Sequence, residues 1–162
     1  MKTNYADKIL ELPELLQRIE LWRSLKESVV FTNGCFDLLH FGHIDYLQKA
    51  AELGDHLIVG LNSDSSVQKI KGPHRPIQQE SSRVPVMASL GCVDAVIVFA
   101  EDTPEELIRI LKPDILVKGG DWKAAEIVGS SFILERGGKV LTIPYIPGYS
   151  TTGIEQKIKN EL

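Results

Sequence analysis

The sequence predicts an α/β protein built on a doubly wound, five-stranded parallel sheet with helices on both faces. Three observations predict it. Five short apolar runs alternate with stretches of helical period, each joined by a length suited to a right-handed crossover. No internal repeat or low-complexity segment interrupts the alternation. Polar, glycine-bearing loops follow several of the runs, and in an open parallel sheet such loops gather at one carboxyl edge, where ligands bind.

Composition sets the outer limits. The 162 residues are 43% apolar and 25% charged, the make-up of an ordinary globular chain with room for a substantial core. The expected division is an N-terminal helical extension, 1–27, packed on a single domain, 28–162. No apolar run approaches the ~20 residues needed to span a bilayer, and M-K-T-N-Y-A-D is not a secretory signal. The sequence therefore reads as cytoplasmic, with no membrane partner. Eighteen Lys and Arg against 22 Asp and Glu leave a net charge of −4, which offers no electrostatic footprint for a nucleic acid. Any phosphate site has to come from local basic residues. Cys35 and Cys92 are far apart and neither lies in a C-x-x-C pair, so both read as small apolar side chains rather than zinc or redox ligands.

Leu12, Leu15, Leu16, Ile19 and Trp22 fall on one face of a helix over 13–26, with Pro13 in its first turn. Val29, Val30 and Phe31 form the first strand, Thr32-Asn33-Gly34 is turn chemistry, and Ile44, Leu47, Ala50 and Ala51 recur at helical spacing. Gly42 and His43 then sit where that helix begins. Unpaired backbone N–H groups and the helix dipole make such a start a phosphate site, and His40 and His43 flank it. Imidazoles can donate to phosphate oxygens and carry charge as it develops, and Gly42 lets the backbone approach closely. The plainer alternative is two loop histidines bonded to backbone.

The run from Asp55 to Leu61 is the second strand, with His56 at its edge and no role assigned. Asn62-Ser63-Asp64-Ser65-Ser66 follows, where Asp64 or a neighbouring serine can cap a short helix from Ser65 to Ile70. Lys69, Lys71 and Arg75 place three cations within seven residues, beside Gly72, Pro73 and Pro76, at a strand's carboxyl end. They can clamp phosphates or simply form a solvated basic loop. From Glu80 to Leu90 the pattern is helical, with Val84, Val86, Met87 and Leu90 available to the core and Pro85 placed near the first turn. Arg83 is either a phosphate ligand or a surface residue.

Val93 to Phe99 is the third strand, with Asp94 facing solvent or capping a turn. Thr103, Pro104 and Glu106 read as N-cap, first helical position and capping box of a helix ending near Leu111, in preference to an acidic metal site. Pro113 to Val117 is the fourth strand and opens into Lys118-Gly119-Gly120-Asp121-Trp122. Paired glycines there let backbone amides approach a ligand, and Trp122 either stacks on one or is a half-buried aromatic. Gly137-Gly138 ends a helix in a Schellman motif, and Lys139 to Ile143 is the last strand. After the loop from Pro144 to Tyr149, Ser150-Thr151-Thr152 opens a final helix. Thr152 with Glu155 forms a capping box, or the hydroxyls line another phosphate site.

T-N-G-C-F-D-L-L-H-F-G-H, residues 32–43, resembles the first motif of the H-x-G-H nucleotidyltransferases, the cytidylyltransferase-like superfamily, which is Rossmann-like and related in fold to class I aminoacyl-tRNA synthetases. The string N-S-D-x-S-V-x-x-x-K-G-x-x-R-P-I from Asn62, K-G-G-D from Lys118 and G-Y-S-T-T from Gly148 are similar to the branch whose adenylyltransferase domains make ADP-heptose for lipopolysaccharide. Relatives using cytidine or pantetheine substrates commonly carry an arginine near the late S-T-T. Gly148 and Tyr149 stand in that place here, so an arginine clamp does not carry over.

The resemblance implies attack of heptose 1-phosphate on the α-phosphate of ATP with loss of pyrophosphate. It implies that His40 and His43 stabilise the transition state while Lys69, Lys71 and Arg75 neutralise the leaving group. Thr32, Asn33, Gly34, Cys35, Phe36, Gly42, Lys118, Gly119, Asp121, Ser150, Thr151 and Thr152 are the expected nucleotide contacts. Asp37, Asn62, Asp64, Arg75, Arg83 and Trp122 are the expected acceptor contacts. Mg²⁺ is expected with ATP, without a dedicated protein metal site. A homo-oligomer, dimer or tetramer, and a separate sugar kinase are the implied partners, because such domains are often fused to a kinase for which this chain has no room. A cytidylyltransferase acting on glycerol 3-phosphate, and a nucleotide-binding module without turnover, are the alternatives.

Overall fold

The computed structural model describes residues 4–120 and 122–161. Its strands are β1 (Val29–Gly34), β2 (His56–Asn62), β3 (Ala95–Phe99), β4 (Ile115–Gly119) and β5 (Lys139–Ile143). The helices are α1 (Leu12–Ser24), α2 (Phe41–Ala51), α3 (Asp64–Lys71), α4 (Glu80–Ala88), α5 (Glu105–Leu111), α6 (Ser130–Glu135) and α7 (Thr151–Glu161). The sheet runs β3-β2-β1-β4-β5 with every pair parallel. Strand order therefore reverses between β1 and β4, which opens a crevice at their carboxyl ends.

Strand pleating sorts the apolar residues into two cores. Val30, Leu57, Val59, Leu61 and Val96 face α2 and α4, where Leu47, Ala50, Val84 and Met87 meet them. Val29, Phe31, Ile58, Ala95 and Leu116 face the other way, onto Leu15, Ile19 and Trp22 of α1, Ile108 and Leu111 of α5 and Ile133 of α6. At the opposite, amino edge, aspartates tie the strand starts together: Asp114 accepts from Val29 N–H and Asp94 from Leu57 N–H, each at 2.8 Å. His56 stacks on Trp22 with centroids 4.0 Å apart and meets Glu27 at 2.8 Å.

Several local expectations change. Thr32, Asn33 and Gly34 extend β1 rather than turning after it, because they pair along β2 as far as Leu61. Pro85 lies in the second turn of α4, not the first, and Val86 is exposed while Val84 and Met87 enter the core. Pro104 rather than Thr103 occupies the N-cap of α5, with no side-chain cap bond and so no capping box at Glu106. Ser150 caps α7 by accepting from Gly153 N–H at 2.9 Å, which leaves Glu155 free of the capping box assigned to it. The Schellman end of α6 is present, with Gly137 N–H donating to Leu134 and Gly138 N–H to Ile133.

Candidate active site

A cavity of about 400 Å³ opens in the crevice between β1 and β4. It is lined by Asn33 to Asp37 at and after the end of β1, His43 and Tyr46 of α2, Lys71, Asp102 and Pro104, and Lys118, Gly119, Tyr145 and Thr151. A smaller, mainly apolar cavity of about 190 Å³ shares Asn33, Pro104, Lys118 and Val128 and is bounded by Trp122 and Ile127.

Local backbone choices place the histidines. Phe36 holds a left-handed conformation, φ 45°, and its ring lies so close to Gly34 that a Cβ there would come within 2.8 Å. The chain then enters α2 with His40 as N-cap, and His40 C=O accepts from His43 and Ile44 N–H, leaving the Phe41 and Gly42 amides at the helix start. The two imidazoles stack with centroids 3.8 Å apart, and Phe36 packs edge-on against His43 at 5.4 Å. Their Nδ1 atoms are buried and without a hydrogen-bond partner among the described residues. Gly42 suits this packing, since a Cβ would stand 3.0 Å from His40 Nδ1 and 3.2 Å from Tyr149 Cβ and push on both.

Burial lowers both imidazole pKa values, and for His43 the neighbouring His40 and Lys71 add to it, bringing it to about 4. In the ligand-free site both rings are neutral at pH 7, so they act as polarised hydrogen-bonding groups rather than standing charges. Burial also lowers Lys118 and raises the Cys35 thiol, which lines the same cavity. Cys35 is thus a cavity-lining residue as well as a small half-buried one, and its Sγ contacts Asn62 Oδ1 at 3.9 Å.

The other expected site residues divide. Asn33, Gly34, Phe36, Asn62, Lys71, Lys118, Gly119 and Thr151 line the cavity with the residues above, and Trp122 lines its apolar annex while half exposed. Thr32 does not: it is fully buried and its hydroxyl meets Tyr46 at 2.6 Å. Lys69 is exposed and pairs with Asp102 at 3.3 Å. Ser150 is occupied by its cap, and Thr152 is exposed outside the cavity lining. Asp121 lies outside the described residues.

Four charged residues expected to touch substrate, Asp37, Asp64, Arg75 and Arg83, are engaged by other groups of the protein. Arg83 is 2% exposed, and its guanidinium donates to the carbonyls of Cys35, Asn62 and Gln78 and to Asp64. Asp64 also accepts from Glu80 N–H while Glu80 accepts from Asp64 N–H, a reciprocal tie between the starts of α3 and α4. Asp37 accepts from Ile77 N–H, Gln78 N–H and Arg75, all at 2.8 Å. Burial opposes its ionisation, but those hydrogen bonds outweigh it and hold the carboxyl below the usual range. Arg75 is engaged by Asp37 and Glu155.

Two aromatic residues were missed. Tyr46 follows His43 by one helical turn, so its place on the site-facing side of α2 was legible from spacing. Tyr145, between prolines after the last strand, packs so tightly on Gly119 that a Cβ there would come within 2.7 Å. No group of three or more His, Cys, Asp or Glu among the described residues is arranged to hold a metal ion.

A parallel sheet of this order, with an H-x-G-H pair at its switch point, defines an α/β nucleotide-binding protein. The cytidylyltransferase-like family model matches residues 31–157, and the chain belongs to that family. It is 55% identical over 152 residues to the bifunctional protein HldE of Helicobacter pylori strain G27, covering 94% of this chain and 31% of that protein. It is 52% identical over 158 residues to HldE of Campylobacter fetus subsp. fetus, covering 98% of this chain and 33% of that one. The chain thus spans about a third of the length of these curated relatives. The crystal structure of a lipopolysaccharide core biosynthesis protein from Thermoplasma volcanium GSS1 superposes with a TM-score of 0.61 at 34% identity, over 74% of this chain and 97% of that one. Pantothenate synthetase from Thermus thermophilus, TM-score 0.60 at 16% identity over 94% of this chain and 70% of that one, shares the fold.

Proposed function

We propose that this domain transfers AMP from ATP to heptose 1-phosphate, releasing pyrophosphate and forming ADP-heptose. The observation that carries the reading is the stacked His40–His43 pair, with its buried unpartnered nitrogens, at the start of α2 against a cavity bearing Lys71 and Lys118. The attacking group is an oxygen of the sugar phosphate, already ionised at neutral pH. It forms a bond to the α-phosphorus as the bond to the bridging oxygen breaks, and that electron pair leaves on pyrophosphate. No covalent enzyme intermediate or strong base is needed, so positioning and charge stabilisation supply the acceleration. His40 and His43 donate to the α- and β-phosphates. Lys71 faces the leaving group, and Lys69, whose ion pair with Asp102 is exposed, can turn to it with little loss. Lys118 stands where the two cavities meet and counters the acceptor phosphate. Mg²⁺ enters with the nucleotide as the counter-ion of its triphosphate.

The sugar rather than the cytidine branch is supported by G-Y-S-T-T in place of an arginine-bearing late motif. The HldE relatives support it independently through their identity over 94% or more of this chain. Such a reaction belongs in the cytoplasm, where ATP is made, and its acceptor would come from a sugar kinase. Pyrophosphate release with Mg²⁺, testing ATP and CTP each against heptose 1-phosphate and glycerol 3-phosphate, tests the proposal. Release with ATP and the heptose, reduced about 100-fold or more in His43→Ala, is the expected result. Release with CTP and glycerol 3-phosphate would overturn the substrate, and unreduced turnover in the variant would overturn the role of His43.

A further inference from the structure

The loop between α3 and α4 carries Arg75, and the contacts of that side chain reach across three separate segments. One arm of the guanidinium, Nη1, donates to Asp37 in the loop that leads from β1 into the histidine pair. The other, Nη2, donates to Glu155 in the second turn of α7, again at 2.8 Å. The side chains are 14%, 2% and 22% exposed for Arg75, Asp37 and Glu155, so the pairs are largely withdrawn from solvent, where a forked guanidinium holds two carboxylates in fixed directions.

None of the described residues of α7 belongs to the buried core, Ile158 is half exposed, and the bond from Thr151 Oγ1 to Leu38 C=O is long at 3.4 Å. Yet its first turn brings Thr151 into the cavity lining. With Ile154 half-buried and no described residue of the helix in the core, polar ties help to place it.

Resting on the reading proposed above, we infer that Glu155 is a positioning residue, acting through Arg75 to hold the first turn of α7 against the triphosphate site. It touches no substrate. The Asp37–Arg75–Glu155 bridge makes the histidine loop, the basic loop and α7 one preorganised unit.

The test compares Glu155→Ala, Arg75→Ala, the double variant and Glu155→Gln, with Gln156→Ala as an exposed neighbour on the same helix. KM for ATP should rise roughly tenfold or more in Glu155→Ala while kcat changes less, because displaced positioning groups cost on that scale. Glu155→Gln, which still accepts from Nη2, should recover part of the loss, and Gln156→Ala should match the wild type. The double variant should be no worse than Arg75→Ala, since both changes cut one strut. Amide hydrogen exchange over residues 151–154, read without substrate, should accelerate in Glu155→Ala. An unchanged KM, unchanged exchange or additive effects would overturn the inference. A lowered KM would overturn it too, by showing that Glu155 competes with phosphate for Arg75. Because exchange is read without turnover, a wild-type chain that releases no pyrophosphate would end the proposed activity and leave the strut to be decided on its own.

Discussion

His43 shows how much one side chain's surroundings decide. Its ring is stacked on His40 and edged by Phe36, and burial brings its pKa from 6.5 to about 4. Between those values the unfolded chain binds a proton that the native chain refuses, so this contribution to stability is full above pH 6.5 and declines as pH falls towards 4. Asp37, held below its ordinary value of 3.8, loses its own contribution only at lower pH. The expected outcome is that denaturant midpoints of the wild type fall between about pH 7 and roughly 4.5, and that His43→Gln shows a shallower decline. Equal slopes for the two proteins would show that the buried ring is not the titrating group. Residue types in the site were legible because H-x-G-H and the lysines form a spaced pattern. Their bonding was not. Arg83 and Asp64 carry the same charges whether they face a ligand or a neighbouring carbonyl, and only the fold shows that carbonyls of Cys35, Asn62 and Gln78 had claimed Arg83 first.

Among elements, the strands were read closely because apolar runs between turn residues have few other uses, whereas helix starts were misplaced where two caps competed. Ser150 and Thr152 are both good N-caps by chemistry, and the choice of Ser150 follows from Gly153 N–H lying within its reach. Two glycines separate backbone from site effects. Gly137 sits at φ 81° with nothing within 4 Å of an added Cβ, so Gly137→Ala costs only the left-handed backbone, about 1–2 kcal/mol. With a urea slope of about 2 kcal/mol/M, the midpoint should fall by roughly 0.5–1 M while activity is retained. Gly42 is the reverse case: its helical φ tolerates alanine, but the new methyl meets the His40 ring and Tyr149. Gly42→Ala should keep its melting temperature within a few degrees and lose roughly 100-fold in kcat/KM, the scale of a displaced reacting group. A variant that melts early, or that works normally, would contradict the packing of α2 drawn here.

At the scale of the whole molecule, the switch point between β1 and β4 gathers the loops that the sequence keeps far apart, and parallel order alone made that gathering predictable. What composition could not show is how far α1 belongs to the fold. Leu15 and Ile19 are fully buried and Trp22 nearly so, in the same cluster as Val29, Phe31 and Ile58 of the central strands. Burying three such side chains contributes roughly 5–9 kcal/mol at about 1.5–3 each, an upper figure, since the unfolded chain is itself partly compact. That is comparable with the ~5–15 kcal/mol by which whole domains are stable. A chain starting at residue 28 also uncovers the part of that sheet face which α1 shares with α5 and α6, and a newly exposed apolar patch promotes association. We expect such a truncation to lose its near-ultraviolet circular dichroism and to elute as aggregate, with pyrophosphate release gone although every residue lining the cavity is still encoded. Leu15→Ala should lower stability by about 2–5 kcal/mol in the full chain. A truncated chain that stays monomeric, folded and active would show instead that α1 is an appendage and that the sheet is closed by the remaining helices.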